Sequence, residues 1–141
     1  MTSRRLRGDA GTVTAFVACF TVALIAVAGL VVDGGLVLAS RRHAFDDADA
    51  AARAGAQAID QAALRDGRSV TLDPRRAQEL AQQELAVEGE SGTVEVDGDN
   101  VTVHITRVQQ MSILGFAGVG PITIHATGTA RAVRGVTTGG D

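Results

Sequence analysis

Between Asp9 and Asp33 the chain carries no charged side chain, and Val13 to Val32 reads VTAFVACFTVALIAVAGLVV. At roughly 1.5 Å per residue this run makes about 30 Å of helix, the thickness of a bilayer's hydrocarbon core. A transmembrane helix over 13–32 is therefore expected, preceded by a cytoplasmic N-terminus over 1–12. Thr12, Thr14 and Thr21 fit such a helix because a hydroxyl can bond back to a carbonyl one turn earlier, and Gly29 is tolerated in spans. Val37-Leu38-Ala39 ahead of Ser40 offers a small-residue cleavage pattern, but the hydrophobic region of a secretory signal runs only about 7–15 residues. Cleavage ahead of Cys19 leaves too little apolar chain before it. The run is read as a retained anchor.

Orientation rests on Arg4, Arg5 and Arg7 before the span against Arg41, Arg42 and Arg53 after it. The leading arginines lie closer to the hydrophobic edge, which places the N-terminus inside by the positive-inside rule. Arg7-Gly8-Asp9 matches a cell-adhesion tripeptide, but on the cytoplasmic side it is read as coincidence.

Past the span, Leu38, Phe45, Ala48, Ala52, Gly55, Ile59 and Ala62 recur at spacings mostly of three and four, the signature of one helix face. This predicts a helical extension over 33–65, with Arg42, Asp46, Asp49, Arg53 and Gln57 on the opposite face. Its seam is mostly alanine, too narrow for an isolated dimeric coil, so Phe45, Ala48, Ala52, Gly55 and Ile59 are candidate packing or assembly residues. Asp66-Gly67 ends the pattern. Asp73-Pro74 then supplies a cap and a first-turn proline, predicting a second helix over about 74–88 with Gly89 as its stop.

From residue 94 the period becomes two. Val94 and Val96, then Val101, Val103 and Ile105, flank Asp97-Gly98-Asp99-Asn100 as a β-hairpin, and Ile122, Ile124 and Ala126 form a third strand. The expected fold is α+β: a long N-terminal helix, a short second helix and a small three-stranded antiparallel sheet, with the Phe45–Ile59 face of the helix covering the sheet. Residues 66–135 make up the small exterior domain and 136–141 a frayed tail.

Composition removes several classes of function. The formal net charge is −3 and all 13 basic residues are arginine, so nothing resembles a nucleic-acid footprint. Trp and Tyr are absent, and the single cysteine, Cys19, excludes an intramolecular disulfide and a cysteine-rich zinc site. His104 and His125 are placed on the polar faces of two strands that can be neighbours, but two imidazoles do not close a zinc site. His43, beside Arg41 and Arg42, is read as a headgroup or surface contact. No lysine exists to complete a phosphate-binding loop, and Ser40, Ser69, Ser91 and Ser112 lack a nucleophile context. Asp46, Asp47 and Asp49 are read as a solvated acidic strip. No catalytic residue, cofactor, metal or small-molecule substrate is expected. Asp33, ending the span abruptly, has two readings: a mark of the membrane interface, or the partner of a basic group on a neighbouring subunit or on assembly machinery.

The stretch from Gly11 through the apolar span to Leu30-Val31-Val32-Asp33-Gly34-Gly35, followed by Ala39, Arg41, Arg42 and Asp47-Ala48-Asp49-Ala50-Ala51-Ala52-Arg53-Ala54-Gly55-Ala56, resembles the TadE/TadG-like proteins of tight-adherence (Flp) pilus assembly. Thr127-Gly128-Thr129-Ala130-Arg131-Ala132 resembles them more loosely. The resemblance implies a non-catalytic, pseudopilin-like bacterial subunit, held in the cell membrane by one span and displaying an extracytoplasmic domain. Other pilus or pseudopilin subunits, or assembly platform proteins, would be its partners. Related pilin-type subunits tend to be cut after a glycine with glutamate five residues on. Counting from Gly11 that position is Phe16, and from Gly8 it is Val13, so Gly11 is the better candidate processing site and lacks the glutamate. The alternative reading is a membrane-tethered extracytoplasmic binding or sensing module that does not polymerise.

Overall fold

Helix α1 takes in the whole uncharged run and continues well past it, spanning Leu6–Ala56 in the computed structural model, which describes residues 6–61, 65 and 71–132. Within the run the Thr21 hydroxyl donates to the Val17 carbonyl at 2.8 Å, so this polar group needs no outside partner. Phe16 and Phe20 stack one turn apart, with ring centroids 6.1 Å from each other. Among the described residues α1 is the one helix long and apolar enough to cross a membrane.

α1 ends at Ala56, short of the limit at 65 expected from spacing. The chain instead turns at Gln57 and makes a short antiparallel bridge, Ile59 to Leu72. The Asp60 N–H donates to Thr71 and the Asp73 N–H to Ala58, both at 2.9 Å, so pairing with a neighbouring segment replaces the helical ladder there. The apolar periodicity through Ile59 reflected burial, not continued helix. Ala62, the Asp66-Gly67 break and the tail over 136–141 lie outside the described residues.

Helix α2 spans Pro74–Val87, as expected. Asp73 caps it, its carboxylate accepting from the N–H groups of Arg75 and Arg76 at 3.1 and 3.3 Å. At its end Gly89, at φ +72, lets the Glu90 N–H reach the Leu85 carbonyl and its own N–H reach Ala86, a Schellman closure.

Strands β1 (Gly92–Asp97), β2 (Asn100–Gln109) and β3 (Ile122–Arg131) form an antiparallel sheet in the order β1-β2-β3. The β1–β2 register pairs Asp97 with Asn100 around a two-residue loop whose first position, Gly98, has φ +62, the sign a tight hairpin turn of the II′ kind demands there. A short 3-10 turn, Leu114–Ala117, lies between β2 and β3. The fold class is therefore α+β, with the elements expected.

By Cα proximity the chain forms two compact units. The first takes α1 up to Leu38 together with Gln110–Ile122; the second takes the chain from Ala39 to Gln109 and from Thr123 onward. The core of the second is built from Ala44, Ala48, Ala51 and Ala52 of α1, Ala77, Ala81 and Leu85 of α2, and Val101, Val103 and Ile105 of β2, with Ile124 and Ala126 of β3.

Candidate functional site

In the second unit the helix meets the sheet through its smallest side chains. Ala48 and Ala52 have no exposed surface, and Gly55 is buried as well. A Cβ on Gly55 would stand 3.0 Å from the Ala77 carbonyl oxygen, and one on Gly128 of β3 would overlap the backbone of Ala48 and Asp49. The alanine stripe is thus what allows helix and strand backbones to approach so closely. It also means that Ala48, Ala52 and Gly55, candidates for contact with other subunits, are already spent on the chain's own core. Ile59 is half-buried against that core.

Phe45 does not join it. The inward stripe is Ala44, Ala48, Ala51, Ala52 and Gly55, while Phe45 remains 36% exposed with the Arg41 guanidinium 5.8 Å from its ring centroid. A phenyl ring cannot enter a seam that close, so size overrides the heptad-like spacing by which Phe45 was grouped with Ala48 and Ala52.

Arg107 follows Val101, Val103 and Ile105 in the alternation of β2, on the side that faces the helices. Its Nη2 reaches Asp47 of α1 at 2.7 Å and also Glu90 just past α2, and its Nε meets Glu90 at 2.9 Å. Nη1 donates to the Ser40 carbonyl at 3.3 Å. One guanidinium therefore ties α1, the end of α2 and β2, its Nε and Nη2 turned to two carboxylates and its Nη1 to a backbone carbonyl. The hydrogen bond to Glu90, then the charges of Glu90 and Asp47, hold it above the ordinary arginine value against the opposing cost of desolvation. Asp47 accordingly leaves the solvated acidic strip in which the sequence placed it. The signal for Arg107 was present: an arginine at the next inward position after three buried aliphatics.

His104 and His125 do lie on adjacent strands. The Nδ1 of His104 pairs with Thr127 Oγ1 at 2.9 Å and that of His125 with Thr106 Oγ1 at 3.2 Å, so each imidazole is tied to a threonine across the strand boundary.

In the first unit Asp33 is 1% exposed. Its Oδ1 accepts the N–H of Ser112 at 2.9 Å and of Ile113 at 3.2 Å; its Oδ2 accepts those of Ile113 at 3.0 Å and Leu114 at 2.6 Å. The carboxylate thus caps the start of the 3-10 turn from a helix some eighty residues earlier in the chain. One helical turn before it, Gly29 makes room for the same segment: a Cβ there would come within 2.9 Å of Ile113 Cγ2 and 3.2 Å of Leu114 Cδ2. Among the described residues, Asp33's partners are backbone N–H groups, not a basic side chain. Gly11 sits in exposed α1 with open space around it, and Phe16, five residues on, is 69% exposed.

Residues 11–58 match the family model described as "Putative Flp pilus-assembly TadE/G-like". The matched stretch contains the anchor-like run, Asp33 and the alanine stripe, the residues on which the resemblance rested. The match supports involvement in tight-adherence pilus assembly alongside other assembly components, and the family is described as a pilus-assembly component, not as a known enzyme family. No curated protein and no solved structure matches the chain.

Proposed function

We propose that this protein is a non-catalytic, minor pseudopilin-like subunit of tight-adherence pilus assembly or a related surface secretion apparatus. It is held in the cell membrane by residues 13–32, with its N-terminus cytoplasmic and the α+β unit extracytoplasmic. The observation that carries this reading is the outward face of α1's first part. Phe16, Phe20, Leu24, Ile25 and Leu30 all point away from the chain and are at least half exposed, in the segment that matches the pilus-assembly family. Such side chains are stable in lipid, or against other apolar helices that replace lipid as subunits assemble. With Ala48, Ala52 and Gly55 enclosed in the core, subunit contact falls to this outward face.

The test is to express a tagged full-length chain alongside the pilus-assembly proteins and ask two things. It should stay with membranes through alkaline carbonate washing and should bring assembly components with it from detergent extracts. Recovery as a detergent-free soluble species sinks the anchor. Firm membrane retention without any assembly component favours the tethered binding module.

A further inference from the structure

We propose that the Ser112–Ile122 connection between β2 and β3 is a lipid-contacting loop, seated in the membrane interface beside α1 with its apolar side chains among acyl chains. This rests on the reading of residues 13–32 as a membrane span.

The sequence already sets this segment apart. From Val108 to Ala130 there is no Asp, Glu, Lys or Arg, so nothing charged has to be desolvated for the loop to enter an apolar phase. Its depth is set by α1. Ile113 and Leu114 pack at Gly29, inside the apolar run and four residues before Asp33, which is about 6 Å along the helix axis. A segment held against that part of a spanning helix shares its surroundings, and about 5–10 Å is the depth at which interfacial elements bury their apolar faces. At the tip, Phe116 is 96% exposed, and Val119 and Ile122 are more than 40% exposed. Leu30, Val37, Met111 and Leu114 line an apolar recess of about 180 Å³ alongside them.

The backbone tells the same story. A loop in water can leave its N–H groups to solvent, whereas one in contact with lipid must satisfy them from within the protein. Asp33 takes those of Ser112, Ile113 and Leu114. Phe116 donates to Ile113 at 3.2 Å, and Gly118 and Val119 donate to Gly115 and Leu114 at 3.1 Å. A buried carboxylate committed to three loop N–H groups, at the first charged position after the span, is what such a setting requires.

The chain has no tryptophan or tyrosine, so one introduced indole reports alone. Full-length Phe116→Trp is reconstituted in phosphatidylcholine–phosphatidylglycerol vesicles with brominated acyl chains, beside Phe20→Trp as a mid-span reference. Val119→Trp reads the same loop should the indole alter its seat at 116. Expected is blue-shifted emission from Trp at 116, strongly quenched by bromines near the headgroup, less by deep ones, and untouched by aqueous iodide. Iodide quenching at 116 and 119 with the mid-span reporter still quenched by bromolipid overturns the loop assignment and leaves the anchor standing. Protection from both quenchers means that protein, such as a second copy of this chain, covers the loop, and overturns lipid contact equally. Loss of bromine quenching at position 20 removes the anchor, and the loop assignment with it.

Discussion

Up to Leu38, α1 turns Phe16, Phe20, Leu24 and Leu30 outward and buries Gly29 and Asp33; beyond Leu38 it buries Ala44, Ala48, Ala51 and Ala52 and leaves Arg41 and Phe45 outside. The two parts of one helix obey opposite rules. In the second, burial is decided by how closely another backbone must approach, and the smallest residues win the inner face. In the first, most of the large apolar side chains stay exposed. What is buried there is a glycine that gives space and a carboxylate that gives hydrogen bonds. Hydrophobicity along a helix therefore does not by itself say which face is inside; it says so only once the surrounding solvent is specified.

The largest expected effect comes from removing the close approach in the second unit. Gly128→Val places its side chain on the backbone of Ala48 and Asp49, where no flexible atom can yield. The loss should reach about 3 kcal/mol or more, at the upper end of overpacking penalties. It is read from denaturant unfolding of the detergent-solubilised chain by circular dichroism. Gly34→Ala in α1 is the contrast, since its Cβ meets nothing within 4 Å. That change should be neutral or stabilising by up to about 1 kcal/mol through helix propensity. Equal destabilisation by both would erase the distinction drawn between the two parts of the helix.

Next in size is Arg107→Met, which leaves Asp47 and Glu90 together without their cation. Breaking a buried pair costs about 3–5 kcal/mol, and these side chains retain 14–22% exposure, so about 2 kcal/mol is expected. The double change Asp47→Asn with Arg107→Met should recover part of it. Purely additive losses in that cycle would show that the guanidinium does not couple α1 to the sheet.

Which of these features could be read from the chain follows from their range. The long apolar helix, α2 with its Asp73 cap, the hairpin and β3 are written in local periodicity and turn chemistry, and all were legible. The end of α1 was not, because the segment that intercepts it around Leu72 is distant in sequence. Phe45 was misjudged because spacing gives direction but not distance, and only the approach of β3 at Gly128 shows that the seam excludes a ring. Asp33 was singled out for its position, yet its partners at 112–114 lie too far along the chain for any local pattern to connect them.

A smaller effect is expected at the Asp73 cap. Asp73→Ala removes the acceptor for two otherwise orphan N–H groups of α2 and should cost about 1 kcal/mol. Asp73→Ser should restore most of the loss. A fall in midpoint for Asp73→Ala with no recovery by serine would place the contribution elsewhere than in capping.

Asp33→Asn should move global stability least and local protection most. The amide keeps one acceptor oxygen but turns its NH₂ toward an N–H that the carboxylate had accepted, leaving at least one donor of Ser112–Leu114 unmatched. Because the carboxylate's hydrogen-bond partners among the described residues belong to the same compact unit, hydrogen exchange in lipid nanodiscs should accelerate at residues 112–119 and stay unchanged at Val101, Val103 and Ile105. Acceleration that spread into β2 would show that the carboxylate supports the sheet as well as the loop. Unchanged exchange at 112–114 would mean that these N–H groups find other acceptors, and that the carboxylate at the end of the apolar run is kept for a contact outside the chain.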